Sequence, residues 1–589
     1  MDITLKADHG KYLCAEEGGG EQGQIIAGRQ AGLVTATRDA AGAWETFVLV
    51  DADDDSVAFR SHGGKFLCAE NEGRDGVLVC NRDAVGAWEK FIPHSDGDRM
   101  GFEAKCRPGF FIKAWPDGRV TLDQPMFNDA PATEPGPYEL FETSVAIPGM
   151  RPGAGNGRPP AGVVRLHGRG FADDAGPFLG LTSTHMDAIN LYWTDRDRLH
   201  DNFDFLASMG MDQRVLGMLG WPGDEAVSPS APDYWEALAY VIDTAFKLGI
   251  RTEFTVFADL FSVPYLQNQS ARRAHAQKVI EFLTPRVDAI LCIEGCNEPG
   301  NFDLWSRYGS PDDLVDVTRM IGNALGVPYA AGALFGAPLS TTGWGDEHTG
   351  VSREARILID GCPCVSVHLD RGTGVEGLWR SIRQPIEANN TVGRKAWWNN
   401  EPIGHDSSVE WFNNRGALSR TPMQPTDLDL HRIHAVATYV MGASLHNWHT
   451  EGGTGYSSDR PIRHEPGARE AVAARAVLPP DLPNFSAKNW HWTDNPFETV
   501  EGCVYDRGMR GRGTLRTIGA VHSDGRVVEH AYCILDGATL RARHRMDLTQ
   551  KVYDADLGAY VDAGRFTVPA GGTVDVPRAL DVLYVGRVV

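Results

Sequence analysis

The sequence predicts a multidomain chain: an N-terminal β-trefoil over residues 1–145, a linker over 146–161, a central (β/α)8 TIM barrel over 162–488 and a small β-sandwich over 489–589. Three observations carry this expectation. The first quarter repeats itself three times, the middle alternates strand-like runs with helix-period segments, and the last hundred residues return to short strands and tight turns.

At 589 residues the chain exceeds what one hydrophobic core usually serves, and 42% apolar residues suffice to build several. A formal charge of −22 with no basic run excludes nucleic-acid and anionic-membrane partners and disfavours a strongly anionic glycan. No stretch approaches membrane-spanning length, and Met1-Asp2-Ile3-Thr4-Leu5 enters a strand pattern, so neither membrane insertion nor an export signal is expected. The compartment stays open. Cys14 and Cys68 hold equivalent repeat positions and read as core residues; Cys362-Pro363-Cys364 lacks the second thiol pair of a structural zinc site. No metal or cofactor is expected.

In the first domain Lys11-Tyr12-Leu13-Cys14-Ala15-Glu16 returns as Lys65-Phe66-Leu67-Cys68-Ala69-Glu70 and, more loosely, as Phe110-Phe111-Ile112-Lys113-Ala114-Trp115. Each is followed by a closing motif: Gly42-Ala43-Trp44-Glu45-Thr46-Phe47, Gly86-Ala87-Trp88-Glu89-Lys90-Phe91 and Gly136-Pro137-Tyr138-Glu139-Leu140-Phe141. Three hairpin modules of this size suggest a threefold trefoil. The motifs resemble those of the fascin-like trefoil domains, a resemblance that leaves binding of a glycan or attachment to a protein partner open.

Pro148 to Pro160 is rich in Pro and Gly and reads as the linker. Val163-Val164-Arg165-Leu166 is expected to start the barrel. Helix faces follow at Leu199, Phe203 and Leu206, stopping at Gly210, and at Trp235 to Ala245, closed by Gly249; Gln213–Leu219 and Thr252–Ala258 are strands 2 and 3. Val287–Ile293 is strand 4. Ser310-Pro311 caps a helix running to Gly326, then Val327–Leu334, Val365–Leu369, Lys395–Asn400 and Ala443–Trp448 supply strands 5 to 8, with a helix from Thr426 to Met441. His405–Pro425 and Thr450–Pro483 read as loops near the mouth of the barrel. The C-terminal sandwich carries no chemical motif and is expected to brace the barrel.

The chemistry centres on a tripeptide written twice, Asn297-Glu298-Pro299 and Asn400-Glu401-Pro402, each after a buried strand. The interval between them holds three βα units of about 30–35 residues, which places the glutamates on strands 4 and 7. In a parallel barrel the carboxyl ends of the strands converge on one face, so two distant carboxylates can share one site. Glycosidic hydrolysis needs such a pair, one protonated at the leaving oxygen and one ionised beneath the anomeric carbon.

These residues resemble the clan A, cellulase-like glycoside hydrolases. The resemblance implies Glu298 as acid/base, Glu401 as nucleophile, Asn297 as a ligand of the sugar 2-hydroxyl, Arg214 as the cation that keeps Glu401 ionised, His368 as a strand 6 partner and Trp448 as a sugar-stacking platform. Asn400 and Trp221 are further substrate-binding candidates. Glu294 shares a strand face with Glu298 but lies deeper, and Asp259 and Asp370 end strands 3 and 6. Three readings follow: a retaining β-glycosidase on a neutral poly- or oligosaccharide, a transglycosylase using the same residues, or a non-catalytic glycan-binding scaffold on a degenerate barrel.

Overall fold

The computed structural model describes residues 2–21, 24–26, 29–53, 56–96, 99–124, 126–127, 130–131, 138–143, 159–219, 227–258, 268–299, 310–332, 353–372, 374–404, 426–454, 461–489, 495–501, 517–532, 538–555, 558–577, 579 and 581–589. Two compact units emerge, Met1–Arg151 and Pro152–Val589.

The first unit is a trefoil by its strand pairing. A ring runs from Asp2–Ile3 and Leu5–Ala7 through Phe47–Asp53, Ser56–Arg60, Phe91–Asp96, Arg99–Ala104 and Phe141–Thr143, which pairs back onto Leu5–Ala7. Three hairpins cap it: Tyr12–Ala15 with Val34–Arg38, Phe66–Ala69 with Leu78–Arg82, and Phe111–Ala114 with Val120–Asp123. Single bridges Leu33–Val79, Thr35–Arg119 and Val77–Thr121 tie the hairpins together pairwise. The repeated motifs fill this frame. Glu45 and Glu89 accept the backbone N–H of Gly42 and Gly86 at 2.8 and 2.7 Å, and Cys14 and Cys68 are buried free thiols.

The second unit holds eight parallel strands: β1 (Gly180–Thr184), β2 (Asp212–Leu216), β3 (Thr252–Phe257), β4 (Ile290–Cys296), β5 (Tyr329–Gly332), β6 (Cys364–Val367), β7 (Ala396–Asn399) and β8 (Leu445–Trp448). They pair in the order β5-β4-β3-β2-β1-β8-β7-β6, with β5 and β6 side by side. Seven of the eight are the expected strands. The first is not: Arg165–His167 forms a small antiparallel sheet with Gly170–Asp173 and Gly176–Phe178, and β1 follows it. This sheet plugs the amino end of the barrel. Val164, Phe171 and Phe178 pack on Leu291, Cys292, Ala330, Cys364, Ala396, Trp398 and Leu445, making an apolar floor. Arg251, fully buried, fastens the plug through Asp173 Oδ2 at 3.0 Å and the Gly162 carbonyl at 2.8 Å.

Strand β4 also begins three residues later than expected, because Thr284–Ala289 winds as a 3-10 turn. The outer helices keep their sequence signals. Pro311–Leu325 has a capping box between Ser310 and Asp313 and ends at left-handed Gly326 (φ 72°); Asp427–Val440 has the same box between Thr426 and Asp429. The stretch after β8 is more structured than expected, carrying a helix at Ala468–Ala476 and 3-10 turns at Ile462–His464 and Leu482–Asn484. Residues 405–425 lie outside the described residues.

The C-terminal sheets have six strands (Ser486–Asn489, Thr517–Val521, Arg526–Tyr532, Asp581–Val588, Met546–Asp554, Ala559–Val568) and three (Phe497–Glu501, Ala538–Ala542, Thr573–Val576). Arg432 on the barrel helix Asp427–Val440 donates to Asp581 at 2.7 Å and stacks on Tyr553, 3.9 Å from its ring centre. The brace is therefore a buried charge pair beneath an aromatic ring.

Glu529 lies in the six-stranded sheet opposite Gly519, where any Cβ would come 2.0 Å from its carboxylate. Burial lifts its pKa to about 8. A carboxyl raised above its unfolded value costs stability as pH rises through the window from about 4.5 to 8. Glu529→Gln should therefore raise the urea midpoint relative to the parent at pH 9 and lose that advantage at pH 5.

Candidate active site

Side chains alternate along each strand, so one parity of β3, β4, β6, β7 and β8 fills the barrel. Above the apolar floor sits a buried carboxylate, Glu253 on β3. Its Oε1 accepts from Trp398 Nε1 at 3.0 Å and Asn400 Nδ2 at 2.9 Å. Burial outweighs the opposing charge of Arg214 and lifts Glu253 to about 7, so it holds its proton below neutrality.

One step higher lies Arg214 on β2, with no solvent exposure. Its Nη1 donates to Glu401 Oε2 at 2.9 Å and to the Asn400 carbonyl at 3.2 Å; its Nη2 donates to Glu294 Oε2 at 2.9 Å and Asn297 Oδ1 at 2.7 Å. Glu294 also accepts from Ser366 at 2.8 Å and Thr255 at 2.9 Å. It supports the arginine from below, as its depth in the strand suggests. Burial alone would neutralise Glu294, but Arg214 and His368 hold it below the usual carboxylate range.

At the carboxyl ends of the strands, His368 stands between the two glutamates. Nδ1 is 2.9 Å from Glu298 Oε1 and Nε2 is 3.6 Å from Glu401 Oε2. Burial opposes a charge on this imidazole, yet Glu401 and the Glu298 hydrogen bond outweigh it and raise its pKa. On Glu401, burial pushes upward, while His368, His449 and Arg214 pull the carboxyl down to about 2. His449 is itself lowered to about 4 and is neutral at pH 7, so His368 and Arg214 supply the charge that holds Glu401 down. Glu401 is therefore ionised throughout the working range. Glu298 has φ 41°, a left-handed backbone that a β-carbon disfavours, and its side chain is 15% exposed against 9% for Glu401.

Arg214, Asn297, Glu298, His368 and Glu401 thus meet in one cluster. Two expected residues do not join them. The Asn400 side chain points down the barrel, where its Nδ2 donates to Glu253 Oε1. Trp448 is fully buried between barrel and helix, against Phe205 with ring centres 5.9 Å apart, its Nε1 donating to the Pro466 carbonyl at 2.9 Å. It has the outward parity of β8, so it is no sugar platform. The inward residue is the next one, His449, with Nε2 3.9 Å from Glu401 Oε1 and Nδ1 2.7 Å from Thr184 Oγ1. Alternation counted from Trp448 would have found it. Trp221 and Asp259 lie outside the described residues.

One ligating atom each from Glu298, His368 and Glu401 lie within 4.8 Å of one another, close enough to consider a metal ion. These donors are engaged with their neighbours, Glu401 Oε2 accepting from Arg214 at 2.9 Å and His368 Nδ1 lying 2.9 Å from Glu298 Oε1.

Arg214→Met would leave Glu294 and Glu401 buried without their cation, a loss of about 3–5 kcal/mol. We expect that deficit in denaturant unfolding at pH 7 and a smaller one at pH 4, where the released carboxylates can take up protons.

No protein-family model matches the sequence, and no curated protein matches it. Among solved structures, the chain is similar to a glycoside hydrolase family 5 protein from Bacteroides vulgatus ATCC 8482, at 12% identity over 72% of this chain and 93% of that one, with a TM-score of 0.45. It is similar to the exo-beta-1,4-mannosidase Op5Man5 from Opitutaceae bacterium strain TAV5, at 15% identity over 53% and 62% with a TM-score of 0.39. Over 25% of its length it is similar to the designed threefold symmetric protein ThreeFoil, at 18% identity over 99% of that chain with a TM-score of 0.20.

Proposed function

We propose that the second unit, with residues 162–488 as its catalytic body, is a retaining glycoside hydrolase that cleaves β-linked bonds of a neutral oligo- or polysaccharide. The observation that carries this reading is the carboxylate pair itself. Oxygens of Glu298 and Glu401 lie within 4.8 Å of each other, the close approach that a retaining pair of carboxyl groups, about 5–5.5 Å apart, requires.

The two carboxylates have separate tasks. Glu401, kept ionised by Arg214 and His368, attacks the anomeric carbon as the glycosidic bond breaks, forming a glycosyl ester. Glu298 and His368 hold one proton between them, and Glu298 delivers it to the departing oxygen. Ionised Glu298 then takes a proton from water, whose oxygen attacks the same carbon and frees Glu401. Asn297 commits its amide oxygen to Arg214, which leaves its NH2 for the sugar 2-hydroxyl, a contact that strengthens in the oxocarbenium-like transition state. His449, beside Glu401, is a further substrate-facing group.

The test is turnover of aryl β-glycosides and neutral polysaccharides by the parent, Glu298→Ala and Glu401→Ala. We expect Glu401→Ala to be inactive until azide is added and then to release a glycosyl azide of inverted configuration. Glu298→Ala should lose about 10²–10⁴-fold on substrates with poor leaving groups and much less on activated aryl glycosides. Equal activity in all three forms would sink the assignment, and transfer to an added sugar in preference to water would make the enzyme a transglycosylase.

A further inference from the structure

The trefoil carries its own controls, because its three modules are variants of one another. In the first two, the residue ending the inner hairpin strand is a glutamate paired with arginine: Glu16 with Arg38 at 3.0 Å and Glu70 with Arg82 at 2.9 Å. Glu16 also accepts from Thr35 at 2.7 Å. In the third module the corresponding residue is Trp115, and its indole N–H donates to Thr121, the counterpart of Thr35, at 2.9 Å. The cation moves as well. Lys113 stands where the other modules have Cys14 and Cys68, and it pairs with the closing glutamate Glu139 at 2.9 Å, both buried.

This exchange creates an aromatic surface that the other modules lack. Tyr138, counterpart of the half-buried Trp44 and Trp88, is 39% exposed, and its ring centre lies 6.0 Å from that of Trp115 at a tilt of 34°. The loop that follows is cut to the turn 115–119, closed by Trp115 N–H to the Arg119 carbonyl at 2.8 Å, whereas the other modules continue through 16–33 and 70–77. Gly118, at φ 89°, lets that turn sit against Thr37, which a β-carbon would approach to 2.6 Å. Two cations lie over the Trp115 ring, Lys113 at 4.4 Å and Arg119 at 5.6 Å from its centre, and each is neutralised where it stands, Lys113 by Glu139 and Arg119 by Asp117 at 2.7 Å.

From these observations we propose that Trp115 and Tyr138 form a stacking platform for a neutral pyranose ring, present in the third module only. Aromatic faces pair with the C–H faces of sugars, and the locally balanced Asp117 and Arg119 offer an acceptor and donors to ring hydroxyls without attracting a polyanion. The choice of a neutral sugar rests on the hydrolase reading of the barrel; the platform itself does not.

The experiment is co-sedimentation of the full chain carrying Glu401→Ala, which leaves the glycan uncut, with insoluble mannan, cellulose, xylan and chitin. We expect retention on at least one of the four. In that background Trp115→Glu, which restores the residue of the first two modules, and Tyr138→Ala, at an exposed position, should each weaken retention about tenfold, in line with the loss of one aromatic contact. Thermal unfolding shows whether Trp115→Glu remains folded; should it not, Tyr138→Ala carries the test. Retention on none of the four probes, or retention unaltered in the folded variants, overturns the platform. Retention that depends on Tyr138 in a protein without glycosidase activity upholds the platform and removes only the hydrolase reading.

Discussion

The guanidinium of Arg214 is the interaction on which the site depends. One planar group inside the barrel reaches side chains from β4 and from just beyond β4 and β7, and also a backbone carbonyl, with donors 2.7–3.2 Å from their acceptors. A lysine could not hold this fork, since it presents a single charged point and no fixed plane. The buried charges are costly to desolvate and add little net stability. Their effect is positional: Glu401, Glu294 and Asn297 are each fixed with respect to the same plane, and therefore to one another.

Charge balance then dictates protonation. Four carboxylates, Glu253, Glu294, Glu298 and Glu401, crowd the upper barrel against Arg214 and the imidazole of His368. Glu401 and Glu294, nearest the cations, are held ionised; in Glu253, which accepts from the neutral donors of Trp398 and Asn400, burial outweighs Arg214 and raises the pKa to about 7. The same side-chain type thus takes different charge states according to the depth at which its strand places it. The apolar floor below and the antiparallel plug beneath it keep water from relaxing these differences.

The two units treat repetition in opposite ways. In the trefoil, repeated residues are structural: the closing glutamates bind backbone N–H groups, and the departures in the third module leave aromatic rings at the surface. In the barrel, the repeated Asn-Glu-Pro supplies two chemically matched ends whose surroundings then differentiate them. Arg432 and Asp581 fasten the C-terminal sheets to the helix after β7, on the side of the barrel that carries Glu401.

Much of this was legible along the chain. Module repeats, capping boxes at Ser310 and Thr426, and a tripeptide after each of two buried strands are local signals, and local signals survive without coordinates. Arg214 and His368 were reachable through the resemblance to the clan A glycoside hydrolases. The residues that escaped depend on parity and register. A shift of one position exchanged Trp448 for His449, because successive side chains on a strand face opposite sides of the sheet. The plug reads as a first strand because a short run such as Val163-Val164-Arg165-Leu166 fits either a parallel stave or a hairpin arm. Residue order therefore carried the fold classes and the two strand-end glutamates that the barrel brings together. Which neighbours shift each carboxyl, and which aromatic rings reach the surface, were settled only when strands remote in the chain were brought within hydrogen-bonding distance, where desolvation and charge act through space.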